Sequence, residues 1–189
     1  MKRFLLILRI PELRHSNLRA EKRVRILTDY SHRERISDKD FEILESFSSD
    51  IPVKVGALAE ALGLKVMIAT LPMNISGLIQ PETDGHFVIK VNRFESKERQ
   101  RFTIAHEIAH YLIHRDKIDA GVVDSVLYRS KLSSRTEAEA DRLAADIVMP
   151  RQAVAGAVRK QGGNRSEQVV QDLATAFGVS KQAMAIRVG

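Results

Sequence analysis

The sequence predicts an α+β fold in which a small sheet packs against one long helix. Two segments with the apolar spacing of helices, 38–47 and 53–62, come first in the chain. Three short segments then alternate as strands do: 64–70, 75–80 and 87–91. A long, mostly apolar helical pattern follows up to about His114, and helical patterns dominate the remainder.

Local signals set the ends of the first two helices. Ser37 or Asp38 can cap the first helix, and Ile51-Pro52 separates it from the second. The second helix, Val53 to Leu62, is followed by Gly63, which can adopt the left-handed conformation that often ends helices. The chain therefore passes from this helix directly into the first strand.

The second and third strands are predicted to form a hairpin. Their connection, Pro81-Glu-Thr-Asp-Gly85, has the composition of a turn. The polar residues Asn92 to Ser96 can then start the long helix. Residues 115–134 are less regular, and their apolar stretch Val122 to Tyr128 is either a substrate-facing loop or an edge strand.

The last third of the chain is predicted to be helical. Ser134-Arg-Thr-Glu137 has the spacing of a capping box, and the helix that it starts ends at Pro150. Further on, Leu173 to Arg187 has the pattern of a helix-turn-helix, with Gly178 at the turn and Ser180 as a cap. Its second helix offers few polar side chains, so we expect a packing module or part of a substrate platform rather than a DNA reader.

Composition divides the chain into three predicted regions. Residues 1–36 contain ten Lys and Arg against four Asp and Glu, which accounts for the whole formal charge of +6. We therefore expect a basic, flexible N-terminal segment (1–36), an α+β domain (37–150) and a helical subdomain (151–189). The basic segment is interpreted as a short strand or a poorly ordered arm, and a nucleic-acid-binding arm is the alternative.

The sequence lacks cysteine and a convincing export signal, which limits the kinds of metal site and the cellular location that we expect. The 189 residues include no cysteine, which excludes disulfides and cysteine-ligated zinc sites. The apolar run Phe4 to Ile10 resembles an export signal, but Arg9 and Pro11 interrupt it and no small-residue cleavage site follows. The run is also shorter than the ~20 residues of a membrane span. We therefore expect a cytoplasmic protein without a membrane segment.

The long helix carries the motif His106-Glu107-Ile-Ala-His110. Two histidines four residues apart lie on one face of a helix, where both rings can bind a single metal ion. Glu107 can lean over the same metal and take a proton from the water molecule that the metal activates. Because the surrounding residues are apolar, the histidines need buried partners, and a metal ion supplies them. The pattern therefore predicts a zinc hydrolase rather than incidental core histidines.

A third protein ligand is expected on the helix that follows Ser134. Glu137 and Asp141 share a face of this helix, so Glu137 can bind the metal while Asp141 accepts a hydrogen bond from a ligand histidine. Glu139 lies about 200° around the helix from Glu137. It could be the ligand only if the helix were rotated to turn Asp141 away.

Two segments together resemble the ImmA/IrrE family of bacterial metallo-endopeptidases. The first is Arg101-Phe-Thr-Ile-Ala-His-Glu-Ile-Ala-His110, and the second is Glu137-Ala-Glu-Ala-Asp141, whose helix ends in Met149-Pro150. The resemblance covers about residues 50–150. It implies a minimal zincin-like metallopeptidase domain with a small sheet on the metal-binding helix.

The resemblance also implies a role for each motif residue. By it, His106, His110 and Glu137 hold zinc, and Glu107 is the general base. The chain departs from the family pattern at Leu143, where a Phe is usual, but at none of these positions. Family members cleave a helix-turn-helix repressor and so derepress prophage, mobile-element or stress genes. A protein substrate, cut within or near a loop, is therefore expected.

The rival hypothesis is a DNA-associated regulator or antitoxin-like binding protein with a structural metallopeptidase-like body. The basic arm and the C-terminal helices would then bind DNA. The intact motif favours the peptidase, because a decayed enzyme usually loses one of these residues. The candidates for oxyanion stabilisation are Tyr111, Tyr128 and His86, while His114 either orients the site or is a packed histidine.

Overall fold

A mixed sheet and several helices surround one long helix in the computed structural model, which describes residues 30–119 and 134–189. The helices are α1 (Asp38–Phe47), α2 (Val55–Ala61), α3 (Lys97–Ile113), α4 (Arg115–Asp119), α5 (Ser134–Val148), α6 (Arg151–Lys160), α7 (Glu167–Phe177) and α8 (Lys181–Val188). The strands are β1 (Leu64–Ala69), β2 (Gly77–Pro81) and β3 (Phe87–Asn92). The predicted α+β class is confirmed. Residues 1–29, the stretch Val122 to Tyr128 and the rest of 120–133 lie outside the described residues.

β3 is the central strand of the three-stranded sheet that residues 64–92 form. It runs parallel to β1 and antiparallel to β2, so Ile89 is the partner of Val66 on one side and of Ile79 on the other. The predicted hairpin of β2 and β3 is therefore present. Ile89 is fully buried, which places the centre of the sheet in the hydrophobic core.

β2 lies close against α3 at Gly77. A Cβ atom at this position would stand 2.4 Å from Thr103 Cγ2 and 2.8 Å from the Lys90 carbonyl oxygen. Both distances are shorter than a normal contact, so glycine is required for this approach. Gly77 thereby brings the edge of the sheet next to the helix that carries the histidines.

α3 and α5 form the main helix pair of the core. Ser96 caps α3, and its hydroxyl accepts a hydrogen bond from the Arg99 N–H. Each helix carries two alanines that are completely buried: Ala105 and Ala109 on α3, and Ala140 and Ala144 on α5. Such short side chains let two helix backbones approach closely. The side chains that flank the alanines can therefore meet across the contact.

Arginine side chains join the C-terminal helices to the rest of the fold. The α7–α8 turn is built as predicted, with Gly178 in the left-handed conformation and Ser180 as the cap of α8. Arg101 of α3 donates to the Gly178 carbonyl oxygen at 3.0 Å and to the Val53 carbonyl oxygen at 2.9 Å. Arg187 of α8 donates to the carbonyl oxygen of Met149 at 3.0 Å. These contacts fix α8 beside both α3 and α5.

The described part of the basic N-terminal segment packs on α5. Tyr30 and Ile36 are buried in the core. Both the backbone N–H and the hydroxyl of Ser31 donate to Asp146 Oδ2, each at 2.7 Å. Arg35 reaches Glu139 with a distance of 2.8 Å between Nη1 and Oε2. Residues 30–36 thus belong to the structural support of α5.

Within residues 30–119 and 134–189, no helix has the combination of length and apolar composition that crossing a membrane needs.

Candidate metal centre

His106 and His110 face one another on α3. Their Nε2 atoms are 3.0 Å apart, and both residues are buried. This arrangement follows from the helix itself, because positions four residues apart lie one above the other. Glu107, between them, is also buried, with 3% of its surface exposed. A buried group of two imidazoles and one carboxylate needs a compensating cation or a set of hydrogen bonds.

Glu137 on α5 completes a group of three possible ligands. Its Oε2 lies 3.4 Å from His106 Nε2, and its Oε1 lies 3.5 Å from His110 Nε2. One donor atom from each of the three residues lies within 4.8 Å of the others. Glu137 Oε1 is buried and has no hydrogen-bond partner. An orphaned carboxylate oxygen beside two imidazole nitrogens fits a metal ion that binds all three.

The electrostatics of the group favour a positive charge between these side chains. Burial lowers the pKa of His106, but hydrogen bonds with Asp141 and Glu137 outweigh it and raise the pKa to about 9. Burial raises the pKa of Glu137, but the imidazoles of His106 and His110 beside the carboxylate outweigh it and hold that pKa well below its usual range. A proton or a metal ion can supply the favoured charge, so metal binding would displace a proton.

Asp141 lies on the outer side of His106. Its Oδ1 is 2.9 Å from His106 Nδ1, the nitrogen that faces away from Glu137. An Nδ1–H that donates to this carboxylate leaves the Nε2 lone pair free to bind a metal. The structure therefore brings Glu137 and Asp141 to opposite sides of one imidazole, as their spacing of four residues predicts.

Glu139 is turned away from the three ligand atoms. Its Oε2 lies 3.2 Å from His114 Nε2, and its Oε1 accepts from Arg135 Nε at 3.0 Å. Arg35 donates to the same Oε2 and to the Ile113 carbonyl oxygen. The Arg35 guanidinium, together with His114, holds the pKa of Glu139 well below its usual range. Glu139 is thus an ionised partner of His114.

His114 links this carboxylate to the metal centre. Its Nδ1 lies 3.1 Å from His110 Nδ1. Burial lowers the pKa of His114 to about 4, so its ring is neutral at pH 7. When the Nδ1–H of His110 donates to His114 Nδ1, the Nε2–H of His114 donates to Glu139. The sequence signals for this row of contacts are His114, one turn beyond His110, and Glu139, two residues after Glu137.

A cleft of about 620 Å³ opens beside His106 and Glu137. α3, α5 and α8 all contribute to its walls, and Asp141 and Arg142 lie at its α5 side. Of the candidates for oxyanion stabilisation, Tyr111 packs edge-on against Phe87, and neither Tyr111 nor His86 lines the cleft. Tyr128 lies outside the described residues. Arg142 was not foreseen from the sequence, because only the packing of α5 turns it toward the cleft.

Another cavity, of about 810 Å³, lies at the outer side of the sheet. It is lined by Lys65, Met67 and His86, among others, and by none of the three possible ligands. Its greater volume therefore does not identify it as the chemical site, since the titratable groups with convergent geometry lie elsewhere.

A comparison with solved structures extends the description of the fold. The chain is similar to a Mycobacterium tuberculosis transcriptional regulator, with a TM-score of 0.50 and 18% sequence identity over 87% of this chain. The match covers 50% of that protein, so the chain spans half of its length. No curated protein matches the sequence.

A comparison with protein families covers both helices of the metal centre. The model of the peptidase family described as the IrrE N-terminal-like domain matches residues 59–188. This range includes His106, His110 and Glu137 and continues through α8. The resemblance indicated by the two sequence motifs is therefore confirmed. The chain belongs to the peptidase family of the IrrE N-terminal-like domain.

Proposed function

We propose that the protein is a zinc-dependent endopeptidase whose substrate is a helix-turn-helix transcriptional repressor. The observation that carries the proposal is the convergence of His106, His110 and Glu137, with Glu107 buried on the same helix. This donor set is typical of catalytic zinc, which takes three protein ligands and keeps one position open. Cysteine is absent from the chain, so these donors are the ones that zinc would find here.

Each ligand histidine has a partner that would orient it for zinc. The Nδ1–H of His106 would donate to Asp141, and the Nδ1–H of His110 would donate to His114. Both Nε2 lone pairs then face Glu137, where the ion would lie. When bound, zinc supplies a Lewis acid that polarises the scissile carbonyl and makes water more acidic.

Glu107 is the proposed general base. It follows His106 directly on α3, and its charge acts on the imidazole of that residue. Its carboxylate would take a proton from the attacking water and then deliver it to the nitrogen of the leaving amine. The same side chain therefore serves as base in one step and as acid in the next.

Membership of the peptidase family supports a protein substrate. The structural neighbour bears the name of a transcriptional regulator, which agrees with a substrate or a role in gene control. The cleft beside His106, with a volume of about 620 Å³, has room for part of a peptide substrate. We infer that cleavage of the repressor relieves repression of the genes that it controls.

The rival function, regulation by DNA binding alone, is disfavoured by the side chains of α8. Lys181 pairs with Glu167, and Arg187 pairs with the buried carboxylate of Asp146. A recognition helix needs cations and polar groups that are free to meet phosphates and bases. The two cations of α8 are instead engaged within the protein.

Substitution of Glu107 by Gln tests the proposal. The variant keeps the shape of the side chain but loses the base, so it should retain zinc and lose ~10²–10⁴-fold in cleavage rate. The assay is co-expression with a helix-turn-helix repressor encoded next to the gene, followed by mass spectrometry of its fragments. Glu42→Gln, an exposed change on α1, is the matched control and should cleave normally.

Two results would contradict the proposal in different ways. Cleavage at the wild-type rate by Glu107→Gln would mean that another group is the base. An intact repressor with both proteins, together with derepression by both, would replace proteolysis with regulation by binding.

A further inference from the structure

The cleft beside the metal centre continues into a second cavity. That cavity has a volume of about 480 Å³ and lies between the start of α3 and the α7–α8 turn. Arg99, Phe102 and Ala183 line both spaces. We call the combined space the α3–α8 groove. Because it begins at His106, a substrate held at the metal centre would extend into it.

The surface of the α3–α8 groove is apolar over much of its length. Seven of its side chains are hydrophobic: Phe102, Ala145, Met149, Ala174, Val179, Ala183 and Ile186. Ile186 is the most notable of them, because 77% of its surface is exposed on α8. Contact between this exposed side chain and an apolar group of a ligand would remove apolar surface from water and so stabilise the complex.

Four arginines surround this apolar surface, and two of them share one buried carboxylate. Arg151 and Arg187 approach Asp146 Oδ1 at 3.1 Å and 2.8 Å. Arg99 and Arg142 differ, because both are exposed and neither has an acidic partner among the described residues. The groove therefore presents two guanidinium groups whose charge is available to a ligand.

The carboxylates near the metal do not compensate these arginines. Glu137 and Asp141 are both held by His106. A metal ion would add further positive charge at that end of the groove. Glu98 lines the second cavity, so the positively charged surface lies in the part of the groove beside His106. There the guanidinium fork suits an anionic carboxylate.

We propose that the α3–α8 groove selects substrate segments in which an acidic side chain lies beside an apolar one, with Arg99 and Arg142 as the specificity-determining residues. The proposal rests on the proposed peptidase function and specifies its substrate class. An exposed ion pair contributes roughly fivefold in affinity at low salt. Two such arginines act on one segment, so the preference is large enough to measure.

Binding and cleavage of a peptide series test this proposal separately. The probe is a fluorescein-labelled positional series of short peptides that contain one Leu next to Asp, Asn or Lys. Fluorescence anisotropy with zinc-loaded Glu107→Gln protein measures binding without turnover. We expect Asp peptides to bind roughly fivefold more tightly than Asn peptides, and the difference should shrink in ~1 M salt, where charges are screened within ~3 Å.

Variants of the two arginines identify the source of the preference. Arg99→Gln and Arg142→Gln should each reduce the Asp-over-Asn ratio, and Arg142→Glu should shift the preference toward Lys peptides. Arg93→Gln is the matched control, because Arg93 is exposed but lines neither part of the groove. The control should keep the full ratio.

The outcomes separate this inference from the proposed function. Equal binding of Asp and Asn peptides, or a preference that survives the double substitution Arg99→Gln and Arg142→Gln, overturns the role of the groove. An acid preference in binding with no cleavage by the wild-type protein upholds the groove and contradicts the peptidase. Cleavage of the peptides without any acid preference upholds the peptidase and contradicts the role of the groove.

Discussion

The imidazoles of His110 and His114 meet through their Nδ1 atoms, 3.1 Å apart, on successive turns of α3. Beyond His114 lies Glu139, and beyond Glu139 lies Arg35. A chain of polar contacts therefore connects the metal centre with residues that precede α1. Outer partners of this kind fix the orientation and the basicity of a ligand histidine.

The first prediction distinguishes the two glutamates of α5. Glu137→Gln should abolish stable zinc binding, because it removes a charged ligand. Glu139→Gln should keep zinc but weaken its affinity roughly 10–100-fold, as expected for a partner of a ligand histidine. Elemental analysis and competition with a chromophoric chelator measure both effects. If Glu137→Gln retained zinc and Glu139→Gln lost it completely, Glu139 would be the ligand and Glu137 would not.

The second prediction concerns Arg35 in the basic segment. Removal of residues 1–36 deletes this side chain and should weaken zinc binding, because Arg35 pairs with Glu139, the partner of His114. Arg35→Gln in the full chain isolates this effect from loss of the buried Tyr30 and Ile36. Equal zinc affinity of Arg35→Gln and the wild type would disprove the connection.

The third prediction concerns Asp146, a fully buried carboxylate that faces Arg151, Arg187 and Ser31. Asp146→Ala leaves buried positive charge without a partner, which typically costs about 3–5 kcal/mol. Urea unfolding measures the loss in the free energy of unfolding. Asp38→Ala is the control: its carboxylate pairs with Arg33 but is almost fully exposed, so the change should cost at most about 1 kcal/mol. Similar losses of unfolding free energy in the two variants would contradict the idea that burial makes the Asp146 ion pairs more important than the exposed pair of Asp38.

The fourth prediction compares two glycines. Gly77→Ala places a methyl group against Thr103 and the Lys90 backbone, so it should destabilise the protein by roughly 1–3 kcal/mol. Gly56→Ala on α2 meets no atom within 4 Å. It should stabilise the helix by roughly 0.5–1 kcal/mol. Thermal unfolding of both variants checks the opposite signs, and a stable Gly77→Ala protein would show that β2 can move away from α3.

Local geometry made much of the centre predictable from the sequence. His106 and His110 share a helix face whatever surrounds them, and so do Glu137 and Asp141. The role of Glu139 was not predictable in this way. It depends on Arg35, which is 104 positions away in the sequence and reaches Glu139 only after residues 30–36 have packed on α5.

The elements themselves were predictable where caps and periodicity agreed. Ser37, Ser96 and Ser180 all cap helices that begin at the next residue. The walls of the α3–α8 groove were not predictable, because they combine α3, α5 and α8 from distant parts of the chain. No local sequence pattern predicts which faces of these three helices lie next to one another.

The arrangement of the groove also has a consequence for the order of events on the ribosome. α3 and α5, which carry the three possible metal ligands, are synthesised before α8. A nascent chain can thus gather its metal-binding side chains while the wall that bears Ile186 and Arg187 is still inside the exit tunnel. On the proposed function, the surface that selects substrates is then completed last, after the metal-binding side chains have come together.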